Sequence, residues 1–402
     1  MIRVPWQRNL WVLSISVLIA NIGFNMFLPF LPNMLRETGM TDNIPFWTGL
    51  LVSSGFLTAG LMAPVWGSLA DRYGKRIMLA RSGFSLAVIS ALMVFASSPW
   101  QLLFLRIFNG VLTGFIPAAV MLTVSNTPQE QMGLALGMLN SFIAIGSIMG
   151  PFVGGVLVHY IGVNNNILVS SALVLCATLL AVVGTREKVF EQKNRTTILQ
   201  DMRLVTKNQA LQIFFISMIV LNMSTFMFTA ILPLRVGELA AANPDISTGV
   251  IFSLTGITLS VGSVIIGKIT RFSYNNILLA GLFLSGVLCM LQGLTGSLYV
   301  LGASRLFYGL TVAAVSVAGN VLITLHSKEE NRGKVFGILN SFTSFGAVLG
   351  PLLGGALAEV WGTSSAFYFC AGVFFAAVYI TWYFTVYRPG NISGTENSGS
   401  SG

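Results

Sequence analysis

Arg106 and Arg305 stand inside long apolar runs, in Leu105-Arg106-Ile107-Phe108-Asn109-Gly110 and Ser304-Arg305-Leu306-Phe307-Tyr308-Gly309. An arginine held in hydrocarbon is costly, so its default reading is a functional one: gating, proton relay or attraction of an anion. Other groups that could do chemistry are few. All 13 acidic residues fall at the ends of apolar runs or between them, so none sits mid-run to bind a cation or proton. His159 and His326 lie near run ends, and no HExxH, Cys–His pair or Ser–His–Asp set is present. Cys176, Cys289 and Cys370 lie singly inside runs without pairing or ligand spacing, and read as packing residues. Enzymatic chemistry, a metal and a cofactor are therefore not expected.

Amides are the other polar resource. Asn21, Asn25, Asn140, Asn222, Asn320 and Asn340 are embedded in apolar runs, interleaved with Phe24, Met26, Met223 and Phe226. A buried amide is expensive unless paired or wetted, so this set suggests an aqueous cavity. Methionine and phenylalanine would give that cavity adaptable apolar walls.

The elements that position these residues follow from composition. The chain is 54% hydrophobic and 9% charged, with a mean hydropathy of +0.79, against about 25% charged in a soluble protein. Most of its surface must face something other than water. A bilayer core of roughly 30 Å takes about 20 helical residues, and unpaired backbone is not tolerated in lipid, so the runs must be helices. Spans are expected at 10–36, 46–70, 77–97, 100–125, 132–160, 165–185, 209–237, 246–269, 275–296, 299–325, 333–360 and 364–387. The first begins after Arg3 and Arg8 and has no small-residue cleavage site, so it reads as an uncleaved span rather than a signal peptide.

The fold class is thus an all-α membrane protein of 12 transmembrane helices in two pseudo-symmetric six-helix bundles. The bundles cover 1–185 and 209–387, joined by a polar linker at 186–208. A Ser- and Gly-rich tail at 388–402 is expected to be disordered. Of 22 Lys and Arg residues, 18 fall on one side if both termini are cytoplasmic, and only Arg36 and Arg235 on the other. That distribution obeys the positive-inside rule, so the formal charge of +9 reports membrane orientation and not a nucleic-acid partner.

The two halves repeat. Gly137–Leu157 and Gly337–Leu357 are identical at 11 of 21 positions at an offset of 200, including Asn-Ser-Phe and Gly-Pro-x-x-Gly-Gly in register. Gly49 and Gly67 match Gly249 and Gly267, and Leu28-Pro29 matches Leu232-Pro233. Two parallel repeats with a site between them are an arrangement used by secondary transporters.

The loop after span 2 reads Gly67-Ser-Leu-Ala-Asp71-Arg72-Tyr-Gly74-Lys75-Arg76. Here the chain resembles the major facilitator superfamily, whose signature between helices 2 and 3 has this pattern. Gly146-x-x-x-Gly150-Pro151-x-x-Gly154-Gly155 in span 5 resembles the motif of its drug/proton antiporter branch, and Gly350-Pro351 belongs to a second copy in span 11. The resemblance runs from about residue 10 to 387. It implies that helices 1, 4, 7 and 10 line a central cavity. It also implies that Asp71 latches the cytoplasmic side against the start of span 11, near Asn331–Lys334, with Arg106 linked to proton relay. Coupling would run through Asp71 with Arg106, or through outer acids such as Glu37, Glu238 and Glu359.

The expected function is export of small amphipathic drugs or metabolites across the plasma (inner) membrane by alternating access, in exchange for protons. An alternative is an anionic or polar cargo, such as a sugar or siderophore, drawn by Arg106 and Arg305, or an uncoupled facilitator. The expected partners are the small-molecule substrate, protons and membrane lipid, and the chain is expected to act as a monomer.

Overall fold

A computed structural model describes residues 6–187, 208–240, 242–268 and 273–384. The polar linker's Lys188, Lys193, Arg195, Arg203 and Lys207, and the tail from 388, lie outside them. The described residues contain helices and no strand. The helices are α1 (Trp6–Phe27), α2 (Leu31–Glu37), α3 (Ile44–Tyr73), α4 (Lys75–Met93), α5 (Pro99–Leu112), α6 (Phe115–Asn126) and α7 (Met132–Gly184). The second half supplies α8 (Gln209–Leu239), α9 (Pro244–Lys268), α10 (Tyr274–Leu294), α11 (Leu298–Leu325), α12 (Arg332–Trp361) and α13 (Thr363–Trp382).

Glycine and proline punctuate these helices where the backbone must leave the α region. Pro29 tightens Leu28–Phe30 into a 3₁₀ turn, so α1 and α2 form one span. Gly162, at φ 80 and ψ 166, breaks α7 into spans 5 and 6, so the eleven apolar helices among the described residues make twelve crossings. Gly362, at φ 80, makes the matching break between α12 and α13. Asn43 and Asn243 both adopt positive φ at the starts of α3 and α9, so the repeat extends to turn geometry. Span 4 departs from expectation. It is two helices, α5 and α6, separated at Thr113 and Gly114, where Gly114 takes φ 139.

The largest buried cluster crosses both halves, from Phe27, Leu31 and Leu51 to Phe214, Phe228, Phe367 and Phe374. A second, around Leu13, Val17, Leu79, Phe115 and Leu139, lies within the first half. The two ends of the molecule can be told apart by charge. The basic end carries Asp71–Arg76, Glu187 and Lys328–Lys334, and the far end carries Thr38–Asn43 and Gly362.

Candidate functional site

The two halves meet at the far end through glycines. Gly49 of α3 faces Pro351 of α12 so closely that a Cβ would overlap the proline carbonyl oxygen. On Gly355, a Cβ would lie 2.5 Å from the Pro45 carbonyl oxygen and 3.1 Å from the Gly49 Cα. The pseudo-symmetric seam joins α7 and α9. There, a Cβ on Gly249 would lie 2.5 Å from the Pro151 carbonyl oxygen, and one on Gly155 would lie 2.5 Å from that of Asp245. Serines lock each seam: Ser53 Oγ donates to the Val348 carbonyl at 2.6 Å, and Ser253 Oγ to that of Ile148 at 2.7 Å. Asn33 Nδ2 reaches Asp245 Oδ1 at 2.8 Å, again between the halves. Small residues permit this backbone-to-backbone approach in a bundle with no hydrophobic drive in lipid.

The rest of the Gly146–Gly155 motif works inside one half. Gly146, Gly150 and Gly154 form a face on which α1 lies, at Asn21, Asn25 and Met26. Gly346, Gly350 and Gly354 receive α8 in the same way, at Asn222, Met223 and Met227. Each copy therefore serves one seam within a half through three glycines, and one seam between halves through Pro151 and Gly155 or Pro351 and Gly355.

Towards the basic end the halves part. Gly133, Gly137, Gly267, Gly333 and Gly337 have nothing within 4 Å of where a Cβ would stand. Leu61, Val65, Leu134 and Phe345 are exposed on the helices that met at the far end. Asn140 and Asn340 are exposed here, and Asn340 lines a cleft of about 340 Å³ between α3 and α12. Phe56 stacks edge-on to Phe226, with centroids 4.6 Å apart, across the two halves where seam gives way to cleft.

The signature loop is organised by a residue that its pattern does not contain. Gly74, at φ 97, ends α3 and starts α4, a backbone geometry that suits glycine. Glu187, at the end of span 6, accepts from the backbone N–H of Lys75 at 2.7 Å and of Arg76 at 3.0 Å, capping α4. The Arg76 guanidinium in turn donates to the Val182 carbonyl, from Nε at 2.8 Å. Asp71 and Arg72 are exposed at this end. A cap of this kind contributes about 1 kcal/mol, so Glu187→Ala should lower the melting temperature of the purified protein while Glu187→Gln retains part of it. Equal melting of all three proteins would count against the cap.

The buried arginines lie elsewhere. Arg106 is 2% exposed, and its Nε donates to the Leu51 carbonyl at 3.2 Å beside Gly55. Leu51 and Asp71 share α3 and are about 30 Å apart along it at 1.5 Å per residue. Arg106 therefore meets α3 well away from Asp71, and any coupling between the two does not run through direct contact in this structure. Arg305 is 3% exposed, its guanidinium carbon 3.9 Å from the centroid of Phe228 and 5.2 Å from that of Tyr308. Both arginines are buried within their halves.

The expected cavity residues divide in the same way. Asn21 is buried and pins α1 to α7, donating to the Ile143 carbonyl at 2.6 Å and Ser147 Oγ at 2.7 Å. Asn25 donates to the Asn21 carbonyl and Oδ1, and Asn222 to the Met218 carbonyl at 3.0 Å. Met26 and Met223 are buried in the seams, and Asn320 is half-buried on α11. Phe24 alone of the span 1 set lines the cavity of the first half, a space of about 300 Å³ shared with Phe56, Trp66, Arg81 and Gly114. Trp66, Arg81 and the Thr113–Gly114 break were not singled out from sequence. For Arg81 the available signal was its place five residues beyond Arg76, inside span 3.

Residues 13–276 and 214–400 match the family model for the Major Facilitator Superfamily. The chain is 32% identical over 385 residues to the multidrug resistance protein MdtG of Proteus mirabilis (strain HI4320), covering 94% of this chain and 96% of that one. It is 31% identical over 387 residues to MdtG of Citrobacter koseri, covering 94% and 95%. Among solved structures it resembles the nucleoside transporter NupG, with a TM-score of 0.81 at 15% identity over 94% of this chain and 100% of that one. A bacterial homolog of the human lysosomal transporter Spinster, in an inward-facing and occupied conformation, gives a TM-score of 0.79 at 13% identity, covering 95% and 97%.

Proposed function

Because the chain belongs to the major facilitator superfamily, we propose that it exports small amphipathic molecules by alternating access, in exchange for protons. It is a multi-pass membrane transporter and not an enzyme. The observation that carries the proposal is the asymmetry of its two ends. Glycine seams clasp the halves at the far end, while the helices that form those seams stand exposed at the basic end. Packed interfaces are bistable rather than continuously deformable, so a clasp at one end and a gap at the other describe one limb of a rocking motion.

With the basic end in the cytoplasm of a plasma-membrane protein, the structure is the inward-open limb, and residues 1–185 and 209–387 are the bodies that rock. Asp71 is the latch towards the start of α12, holding the basic ends together whenever they close. The relatives' name, multidrug resistance protein, supports an amphipathic cargo. Since no acid sits mid-span, the coupling proton travels on end-of-span carboxylates, for which Asp71, Glu37, Glu238 and Glu359 are the candidates.

Inside-out membrane vesicles from cells lacking their own pumps test this reading. On energising an inward proton gradient, vesicles with the protein should accumulate amphipathic dyes, and adding substrate should release protons from the lumen. Accumulation without proton movement would remove the exchange, and no accumulation of any dye or amphipathic acid would remove efflux.

A further inference from the structure

Among the described residues, the cavity of the first half carries one charged residue, and that residue is a cation. It is bounded by Phe24, Phe56, Ala59 and Ala63 on one side and by the α5–α6 break on the other, with Arg81 set into the wall. The guanidinium carbon of Arg81 lies 3.4 Å from the centroid of the Trp66 ring. Trp66 is itself fixed, because its indole N–H donates to the Val111 carbonyl at 2.6 Å. In an unbroken helix that carbonyl would accept from Phe115; the break at Thr113–Gly114 releases it to the tryptophan.

Stacked in this way, Arg81 keeps its planar donor fork in one orientation. Its Nε and Nη1 are shielded from solvent and have no hydrogen-bond partner. A charged donor withdrawn from water and left unpaired is unfavourable, and an oxyanion that offers two oxygens side by side is the group a guanidinium fork matches best. Arg106 and Arg305 are sealed off, and among the described residues no carboxylate lines the cavity to neutralise Arg81.

We propose that this cavity is a binding site for amphipathic organic anions, with Arg81 holding the carboxylate, sulfonate or phosphonate head and Phe24, Phe56 and the alanines of α3 taking the apolar body. The site lies in the basic half of the bundle, so it loads from the cytoplasmic side in the state described. Trp66 positions the guanidinium and does not itself contact the head group. The proposal rests on the efflux reading for its biological direction, but the binding it describes does not.

The test uses the full chain in nanodiscs with three ligands of one shape: 1-naphthalenesulfonate, 1-naphthylmethanol and 1-naphthylmethylammonium. The sulfonate should bind more tightly than the other two. Arg81→Gln should weaken it about tenfold, the usual order for losing a charge-assisted contact, and leave the alcohol unchanged. Arg81→Lys should recover part of the sulfonate affinity, since it restores the charge without the fork. Equal sulfonate affinity in wild type and Arg81→Gln, or tightest binding of the ammonium, would overturn the proposal. If Arg81→Gln does not fold, Arg81→Lys and the ranking of the three ligands on wild type decide. Vesicle accumulation of cationic dyes unaffected by Arg81→Gln, together with absent sulfonate binding, would remove the anion site and leave efflux standing. Arg81-dependent binding without any accumulation would do the reverse.

Discussion

Valine at Gly49 should hold the transporter open at the far end and abolish transport. A Cβ there would overlap the Pro351 carbonyl, and the next atoms behind it are the backbone of α12 rather than a side chain that can swing away. Overpacking of this kind costs about 1–3 kcal/mol, which shifts a two-state equilibrium on the order of ten- to a hundredfold. Gly249→Val should act alike through Pro151, because the repeat places the same contact in the other seam. Spin labels at Thr41 and Ala242 report the far end, and labels at Gln129 and Glu329 the basic end. In either variant the first distance should lengthen and the second shorten. Unchanged distances, with transport intact, would mean that these seams do not gate.

The second large effect concerns the seams inside each half, which on the proposed rocking motion move as part of a body and stay closed. Gly154→Val would drive a side chain into the backbone of α1 at Met26, and Gly350→Val into that of α8 at Met223. Both variants should lose yield and melt well below wild type, by about 1–3 kcal/mol or more, whatever state is populated. Gly137→Ala and Gly337→Ala provide the contrast. They stand in the same helices with open space at the Cβ position, and alanine favours a helix over glycine by up to about 1 kcal/mol. They should melt at or above wild type. If Gly154→Val melted with Gly137→Ala, the motif's glycines would not be packing residues at all.

Twelve crossings were legible because each span's polar backbone is satisfied within its own helix, and run length alone then marks it. The break at Gly162 was legible too, as a polar interruption at about the right place. The break inside span 4 was not. Thr113 and Gly114 interrupt no apolar pattern, and an isolated glycine in a helical run usually stays helical. Asn21 shows a different limit. Its residue type predicted a polar partner, and it has two, but an aqueous cavity and a neighbouring carbonyl satisfy an amide equally well. Arg81 shows the opposite limit: the charge rule assigns basic residues near span ends to the loop, and this one turns inward onto Trp66.

By itself the sequence determined the membrane class, the two-fold repeat, the side on which charge collects, and the absence of any mid-span acid. These depend on composition and on the chain's local need to pair its backbone in lipid. Only the tertiary structure decided which glycine meets which carbonyl, that Glu187 caps α4, that Arg106 answers to Leu51 and not Asp71, and that Arg81 is the cavity's charge. Those contacts join residues far apart in the chain, as Ser53 joins Val348 across 295 positions. The helices are similar in period and polarity, so which faces meet is settled by shape complementarity among all of them at once.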